Sequence, residues 1–375
     1  MNVDLLVVGA SFAGLACAKE AVKYGLSVAV LEKKAHSGDK LHTTGIFVKE
    51  AIEACTWLHN APQQLFRHVD KVRLYASNMQ HLDLHAPGYY FVTTETPGLL
   101  NWMASDACVT GAKLIFSTVF KTAEQTSDGL WKISATTQTK ETDGSEDHIE
   151  ITARYLIGAD GPTSKVAREL GLSANTKFLY GMEKEYEKTD FDTGYLHCFL
   201  DKSLAAGYIG WTLASQGYAQ VGLAKRLHGT QLTAPIDFDA FLEKITPAVK
   251  VESSAQGVRA GLIPCGGTLK HIARPNAMLI GDAAGTVSPV TAGGIHSALL
   301  YGEQAGKAVA DYVRGNQDDP AQWLVKAYPQ YRIKRLLRTG FDYAQSDWLF
   351  NRLLSTPLFR RFAEQVYFHK KGVYS

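Results

Sequence analysis

"DLLVVGASFAGLACAKEAVKYGLSVAVLEKK" (residues 4–34) is the stretch on which the reading of the fold turns. Residues 5–8 are an apolar run without alternation, the pattern of a strand buried on both faces. Gly9 permits a tight turn, and Gly14 lets the next helix lie close against that strand. Between them, where a middle glycine would let the backbone approach a pyrophosphate, stands Ser11. Serine is small enough to keep that approach open, and its hydroxyl is a potential phosphate donor. Phe12 and Ala13 complete the turn, whose helix N-terminus presents free N–H groups to an anion. The helix runs on through Ala16, Ala18 and Ala21 to Gly25, and a second strand ends at Glu32 with Lys33 beside it. An acid at this spacing meets ribose hydroxyls, which favours FAD or NAD over NADP.

The remaining composition narrows the class. The chain has 375 residues, 46% hydrophobic and 20% charged, with a net charge of +2. That is enough chain for two or three packed units, and the charge makes no case for nucleic acid. Five dispersed cysteines (Cys17, Cys55, Cys108, Cys198, Cys265) contain no C-x-x-C pair. They predict free thiols in a reducing, cytoplasmic setting and no bound metal. No apolar run reaches the ~18 residues that span a bilayer.

Two later stretches repeat the strand–turn–helix logic. In residues 153–172 an apolar strand leads to Gly158, Asp160 and Gly161. In residues 276–312 a strand ends at Gly281 and Asp282, a loop carries Pro289, and Gly293, Gly294 and Ile295 open a helix of small residues. An Asp at a strand end suits a ribityl hydroxyl. Glycines at a helix start suit the electron-rich edge of a flavin.

In this order, the three motifs resemble the single-Rossmann FAD-dependent family of aromatic hydroxylases, flavin halogenases and geranylgeranyl reductases. The likeness covers roughly residues 1–315. "GDAAGTVSPVTAGGIHSALLYGEQAG" is most similar to the geranylgeranyl reductases, with Ala292 in place of one glycine. The resemblance implies FAD contacts at Gly9, Ser11, Gly14, Glu32, Asp282, Gly293 and Gly294. Asp160 and Gly161 match a middle motif that serves both flavin and pyridine nucleotide. His42 stands where the reductases carry a cysteine facing the flavin. It is read either as a proton donor or as an exposed loop histidine. No second glycine fingerprint follows residue 34. Electrons are therefore expected from transient NAD(P)H or from a reduced electron-transfer protein.

The expected architecture is a Rossmann-like α/β FAD-binding domain (residues 1–75, 98–175 and 266–315) with an inserted antiparallel β-sheet substrate domain (76–97 and 176–265). A helical segment (316–375) follows. "GYIGWTL" resembles a reductase substrate strand without its Phe-Pro end. Tyr195, Phe199, Tyr208, Trp211 and Leu213 are candidates to line a pocket; for Tyr208 and Trp211 the alternative is sheet core. Cys265 is expected to be a buried, inert thiol. The C-terminal segment mixes bulky apolar residues with Arg352, Arg360, Arg361, Lys370 and Lys371. It reads either as helices packed on the FAD domain or as a basic amphipathic surface for a peripheral membrane contact.

Three functions compete. The first is reduction of carbon–carbon double bonds in an isoprenoid or other apolar substrate. The second is a monooxygenase of the aromatic hydroxylase or halogenase kind. The third is a non-catalytic carrier of lipid or prenylated protein. The absence of a full Trp-x-Trp motif lowers the halogenase branch. The FAD motifs argue against the carrier.

Overall fold

The computed structural model describes residues 1–138 and 146–368. The hairpin tip read at Asp143–Gly144 and the basic pair Lys370 and Lys371 lie outside them. The opening stretch forms a strand (Asn2–Val8), a helix (Phe12–Lys23) and a second strand (Val28–Leu31). Asn2–Val8 lies between Glu146–Gly158 and Val28–Leu31, parallel to both. Lys113–Ile115 and Ala277–Leu279 extend the parallel sheet on its two sides. Central parallel strands covered on both faces need apolar side chains in both directions, and Leu5, Leu6 and Val7 are fully buried. Trp131–Gln138 joins Glu146–Gly158 as an antiparallel hairpin.

The helix Phe12–Lys23 packs on the long helix Ile295–Val313. A Cβ on Gly302 would stand 2.5 Å from the Ala13 carbonyl oxygen, and one on Gly306 would overlap the Cys17 carbonyl. Two glycines one turn apart therefore set how closely the helices cross, which holds the first and third motifs together.

A second sheet runs in the order Gly257–Pro264, Phe178–Tyr186, Ala219–Arg226, Gly210–Ala214, Tyr195–Phe199, Lys71–Tyr75, His81–His85. Two short strands depart from the boundaries read in the sequence. Lys71–Tyr75 pairs with Tyr195–Phe199 in this second sheet. Phe91–Thr94 pairs instead with Ile46–Val48 and Phe66–Val69 in a small separate sheet. Alternation identifies a strand but carries no information about its partner.

The outer face of the second sheet is covered by the helix Phe238–Ile245, which packs with Phe199, Val221 and Leu223. At the chain end, helices span Arg332–Ala344, Asp347–Leu353 and Pro357–Phe368. Leu354, Ala363 and Phe368 bury themselves with Val72, Leu84, Leu196 and Leu213. The segment thus divides: Leu324 and Tyr328 are buried in the dinucleotide-binding half, as one sequence reading had it, while the last helices pack on the second sheet.

Candidate active site

One cavity of about 1580 Å³ runs from the first turn, past the start of the long helix, along the second sheet to the C-terminal helices. At its first end the walls are backbone. Gly9 has φ +108°, and a Cβ there would overlap the Ala159 carbonyl; a Cβ on Gly14 would overlap the Gly9 carbonyl. Both positions therefore exclude any side chain. Gly14 supports the turn from behind and does not itself line the cavity, nor does Pro289.

Ser11 caps the helix Phe12–Lys23: its Oγ accepts from Gly14 N at 3.3 Å and donates to the Ala159 carbonyl at 3.1 Å. Its single hydroxyl proton is thus used within the protein. The expected phosphate donor is corrected to a helix cap, which explains why serine suits a position where glycine was anticipated. Glu32 accepts from Ala10 N at 2.8 Å and from Lys34 N at 3.0 Å, tying the second strand to the turn at the cavity wall. Phe12, Ala13 and Lys33 also line the wall.

Asp160 accepts from Ser164 Oγ (2.6 Å), Lys165 N (2.6 Å) and Val166 N (3.1 Å), so its carboxylate is committed to starting the short helix Lys165–Glu169. Gly161, beside it, has φ +87° and open space around its Cα. Asp282 differs. It lines the cavity beyond Gly281, and its carboxylate has no hydrogen-bond partner among the described residues. Burial pushes its pKa up to about 6. Facing it, Gly293, Gly294 and Ile295 open the helix Ile295–Val313, which no side chain caps. A Cβ on Gly294 would stand 3.3 Å from Asp282 Oδ1. An orphaned, partly buried carboxylate, an uncapped helix start and walls that exclude side chains fit a bound dinucleotide with a hydroxylated linker and an anionic ring edge. Ala292, the alanine in this loop, takes φ +52°, the left-handed conformation in which a glycine is at ease.

Toward the second sheet the walls become side chains. Trp211 lies across Gly222, where a Cβ would overlap the indole, and close to Gly181. Trp211 Nε1 donates to Glu183 Oε2 at 2.9 Å. Tyr208 lines the cavity while its hydroxyl donates to the Thr291 carbonyl at 2.6 Å. Leu213 lines it too. Tyr195 and Phe199 do not. Tyr195 donates to Asp83 under the Arg73 guanidinium, and Phe199 stacks on Tyr75 at 4.7 Å in the outer core. Successive strand residues face opposite ways, so Tyr195–Phe199 turns Leu196 and Cys198 to the cavity; His197 also borders it, although its ring is hydrogen-bonded to Tyr75 and the Asp192 carbonyl. Cys265 is buried against Leu179 and Ala224 and touches Arg226, outside the lining. Burial pushes its thiol pKa up, as for an inert cysteine.

His42 lines the cavity, with its Nδ1 2.5 Å from the Ala260 carbonyl oxygen. A carbonyl only accepts, so Nδ1 carries the hydrogen. The residue is itself exposed, as the loop-histidine alternative has it, yet partial desolvation lowers the ring's pKa, so the ring is chiefly neutral near pH 7 with Nε2 accepting. The sequence reading passed over Glu183 and Arg259. Both line the cavity, with Arg259 Nη1 3.7 Å from Glu183 Oε1. The signal was present: alternation in Phe178–Tyr186 puts Glu183 on the face of Leu179 and Gly181, an acid where the pattern calls for an apolar residue.

The fold and this crevice define a single-Rossmann flavoprotein. Residues 2–183 match the family model of the FAD binding domain, and the chain carries that domain. It is 29% identical over 324 residues to digeranylgeranylglycerophospholipid reductase 2 of Methanosphaera stadtmanae, covering 84% of this chain and 79% of that one. It is also 29% identical to digeranylgeranylglycerophospholipid reductase 1 of Methanothermobacter thermautotrophicus, over 82% and 77% of the two chains. Among solved structures, a geranylgeranyl bacteriochlorophyll reductase-like protein from Thermoplasma acidophilum superposes with a TM-score of 0.80 at 20% identity, covering 98% and 97% of the chains. The p-nitrophenol 4-monooxygenase of Pseudomonas putida shares the fold, with a TM-score of 0.70 at 12% identity over 100% of both chains. The chain carries an FAD-binding domain, and it resembles geranylgeranyl reductases over most of its length.

Proposed function

We propose that this flavoprotein reduces isolated carbon–carbon double bonds in a long apolar substrate of the prenyl type. The observation that carries the reading is the continuity of the cavity. The dinucleotide crevice opens without interruption into a bore lined by Leu196, Leu213, Phe341, Phe350, Phe359 and Val366. Crevice and bore together, at about 1580 Å³, exceed the ~300–1,000 Å³ usual for a single small-molecule site, which leaves room for a substrate beside the dinucleotide. A hydrocarbon held there is bound by area removed from water, at about 25 cal/mol per Å². Bound and reduced, FAD supplies the hydride for such a reduction. The chain's own part is to hold the dinucleotide at the glycine turns, Glu32, Asp282 and the uncapped helix. It also lays the alkene along Trp211 and keeps water out with the C-terminal helices.

Electrons are supplied by NAD(P)H binding in passing or by a reduced electron-transfer protein, in keeping with a single dinucleotide fingerprint. The decisive experiment reduces the purified holoprotein anaerobically, offers prenyl lipids and phenols, and weighs the products. A gain of two hydrogens supports the reading. Insertion of an oxygen atom into a phenol replaces it with the monooxygenase reading.

The mouth of the bore supports a peripheral membrane contact. Leu336, Tyr343, Leu358 and Phe362 are exposed on the C-terminal helices, with Leu336 73% and Leu358 80% accessible. Arg332, Arg352 and Arg360 stand exposed among them. No helix among the described residues is long and apolar enough to cross a membrane. This rim offers apolar side chains to acyl tails and cations to headgroups. Co-sedimentation with anionic vesicles is expected, and Leu336→Asp with Leu358→Asp is expected to abolish it.

A further inference from the structure

The reductase reading requires a proton as well as a hydride, and the residue first considered for it, His42, presents a bare acceptor nitrogen to the cavity. We propose that Glu183, fixed by the Trp211 N–H and lining the same cavity, is the catalytic proton donor to the substrate. The inference rests on the reductase reading and adds to it the group that completes the addition.

The geometry comes from the inner face of the second sheet. Glu183 is 3% exposed on Phe178–Tyr186, yet it belongs to the cavity wall. Trp211 Nε1 holds Oε2 at 2.9 Å, while Oε1 has no donor in hydrogen-bonding geometry among the described residues, the Thr44 hydroxyl being the nearest side-chain donor besides Trp211. A buried carboxyl oxygen left over at a cavity wall is where a transferable proton can reside. The facing cation is shared. Arg259 Nη2 donates to Glu185, and Nη1 donates to the Thr43 carbonyl at 3.2 Å while lying 3.7 Å from Glu183 Oε1. Two carboxyl groups around one guanidinium leave one negative charge in excess, so the more buried acid keeps its proton more readily. Burial raises the Glu183 pKa, and the nearby Glu185 pushes the same way, against the Thr44 hydroxyl, the Trp211 N–H and Arg259.

The site is also tied to the His42 loop, which the resemblance to the reductases sets against the flavin. Arg259 is bonded to the loop of His42 and Thr43, and a Cβ on Gly261 would stand 2.7 Å from His42 Cβ. In the proposed step the alkene loses its π bond and two C–H bonds form. One carbon takes the hydride with its electron pair from reduced FAD; the other takes the proton of Glu183. The carboxylate left behind is reprotonated from water at the cavity mouth.

The test compares wild-type holoprotein with Glu183→Gln, which keeps an acceptor for Trp211 but has no proton to give. Glu183→Asp is the second variant; it keeps the proton but withdraws it by one methylene. FAD binding by fluorescence titration is expected to change less than about threefold. Reoxidation of the dithionite-reduced flavin by a prenyl lipid, under anaerobic conditions, is expected to slow about 10²–10⁴-fold in Glu183→Gln, and less in Glu183→Asp. Independently of turnover, infrared difference spectra at neutral pH are expected to show a protonated-carboxyl band in the wild type that Glu183→Gln lacks. Alkene reduction within about threefold of wild type in Glu183→Gln, or a wild type without that band, overturns Glu183 as donor and leaves the reductase reading standing. A yellow wild type that saturates no alkene overturns the reductase reading, and the donor falls with it. If Glu183→Gln does not retain flavin, Glu183→Asp decides: unchanged rate overturns the proposal, and slowing at unchanged FAD affinity supports it.

Discussion

The two ends of the cavity are built from different materials. At the dinucleotide end, backbone does the shaping: Gly9, Gly14 and Gly294 sit where a Cβ meets a carbonyl or a neighbouring side chain. At the second sheet, side chains do it: Trp211 spread over Gly222, the Glu183–Arg259 pair, and apolar residues arriving from the chain's far end. A site made of backbone tolerates almost no substitution but leaves a strong mark in sequence. A site made of side chains on a sheet is open to variation and is set by which face each residue takes.

That contrast can be broken most severely at Gly14. Gly14→Val is expected to push the first helix off its strand, lower stability by more than about 3 kcal/mol and prevent flavin loading. Visible absorbance and thermal unfolding read both effects, and a fully yellow variant would refute the placement of the turn. At the other end, Gly222→Ala drives a methyl group into the Trp211 ring. Overpacking of about 1–3 kcal/mol is expected, with flavin retained and affinity for an apolar ligand reduced about tenfold or more.

Asp282 sharpens the comparison through pH. The form that accepts a hydroxyl is the carboxylate, and in the flavin-free protein this group titrates at about 6. FAD affinity is therefore expected to fall, by up to about tenfold per pH unit, as pH drops through that value. Asp282→Asn is expected to bind more weakly at neutral pH with a flat profile, as read by fluorescence titration. The sign for folding is opposite. Because the native pKa is raised, ionised Asp282 opposes folding at neutral pH, and the penalty fades as pH falls from about 6 toward 4. The smallest effect is expected at Ala292, where Gly relieves the left-handed backbone but frees the unfolded chain. Ala292→Gly should shift stability by less than about 1 kcal/mol in denaturant titration.

Most of the dinucleotide end was legible before any coordinates. The run at Leu5–Val8, the spacing of Gly9, Gly14 and Glu32, and the later Gly–Asp turns are local patterns, and the structure brings them to one crevice. Two details were not legible. Ser11 turned its hydroxyl inward as a helix cap, and Asp160 spent its carboxylate on the next helix start. Both depend on partners that are not recognisable from the motif alone. At the second sheet the strands were found but not their faces. Tyr195 and Phe199 read as pocket residues in the sequence, but strand parity turns them outward.

The sequence alone therefore determined a nucleotide-binding α/β fold, the three bends that build its crevice, and the preference for an unphosphorylated dinucleotide. Those features follow from backbone conformation and short-range spacing, which neighbouring residues dictate. Tertiary structure decided which strand pairs with which, which side chains meet at Glu183, and that the C-terminal helices complete the bore. Such contacts join residues far apart in the chain, and their choice rests on the burial of whole faces, a quantity that no single segment contains.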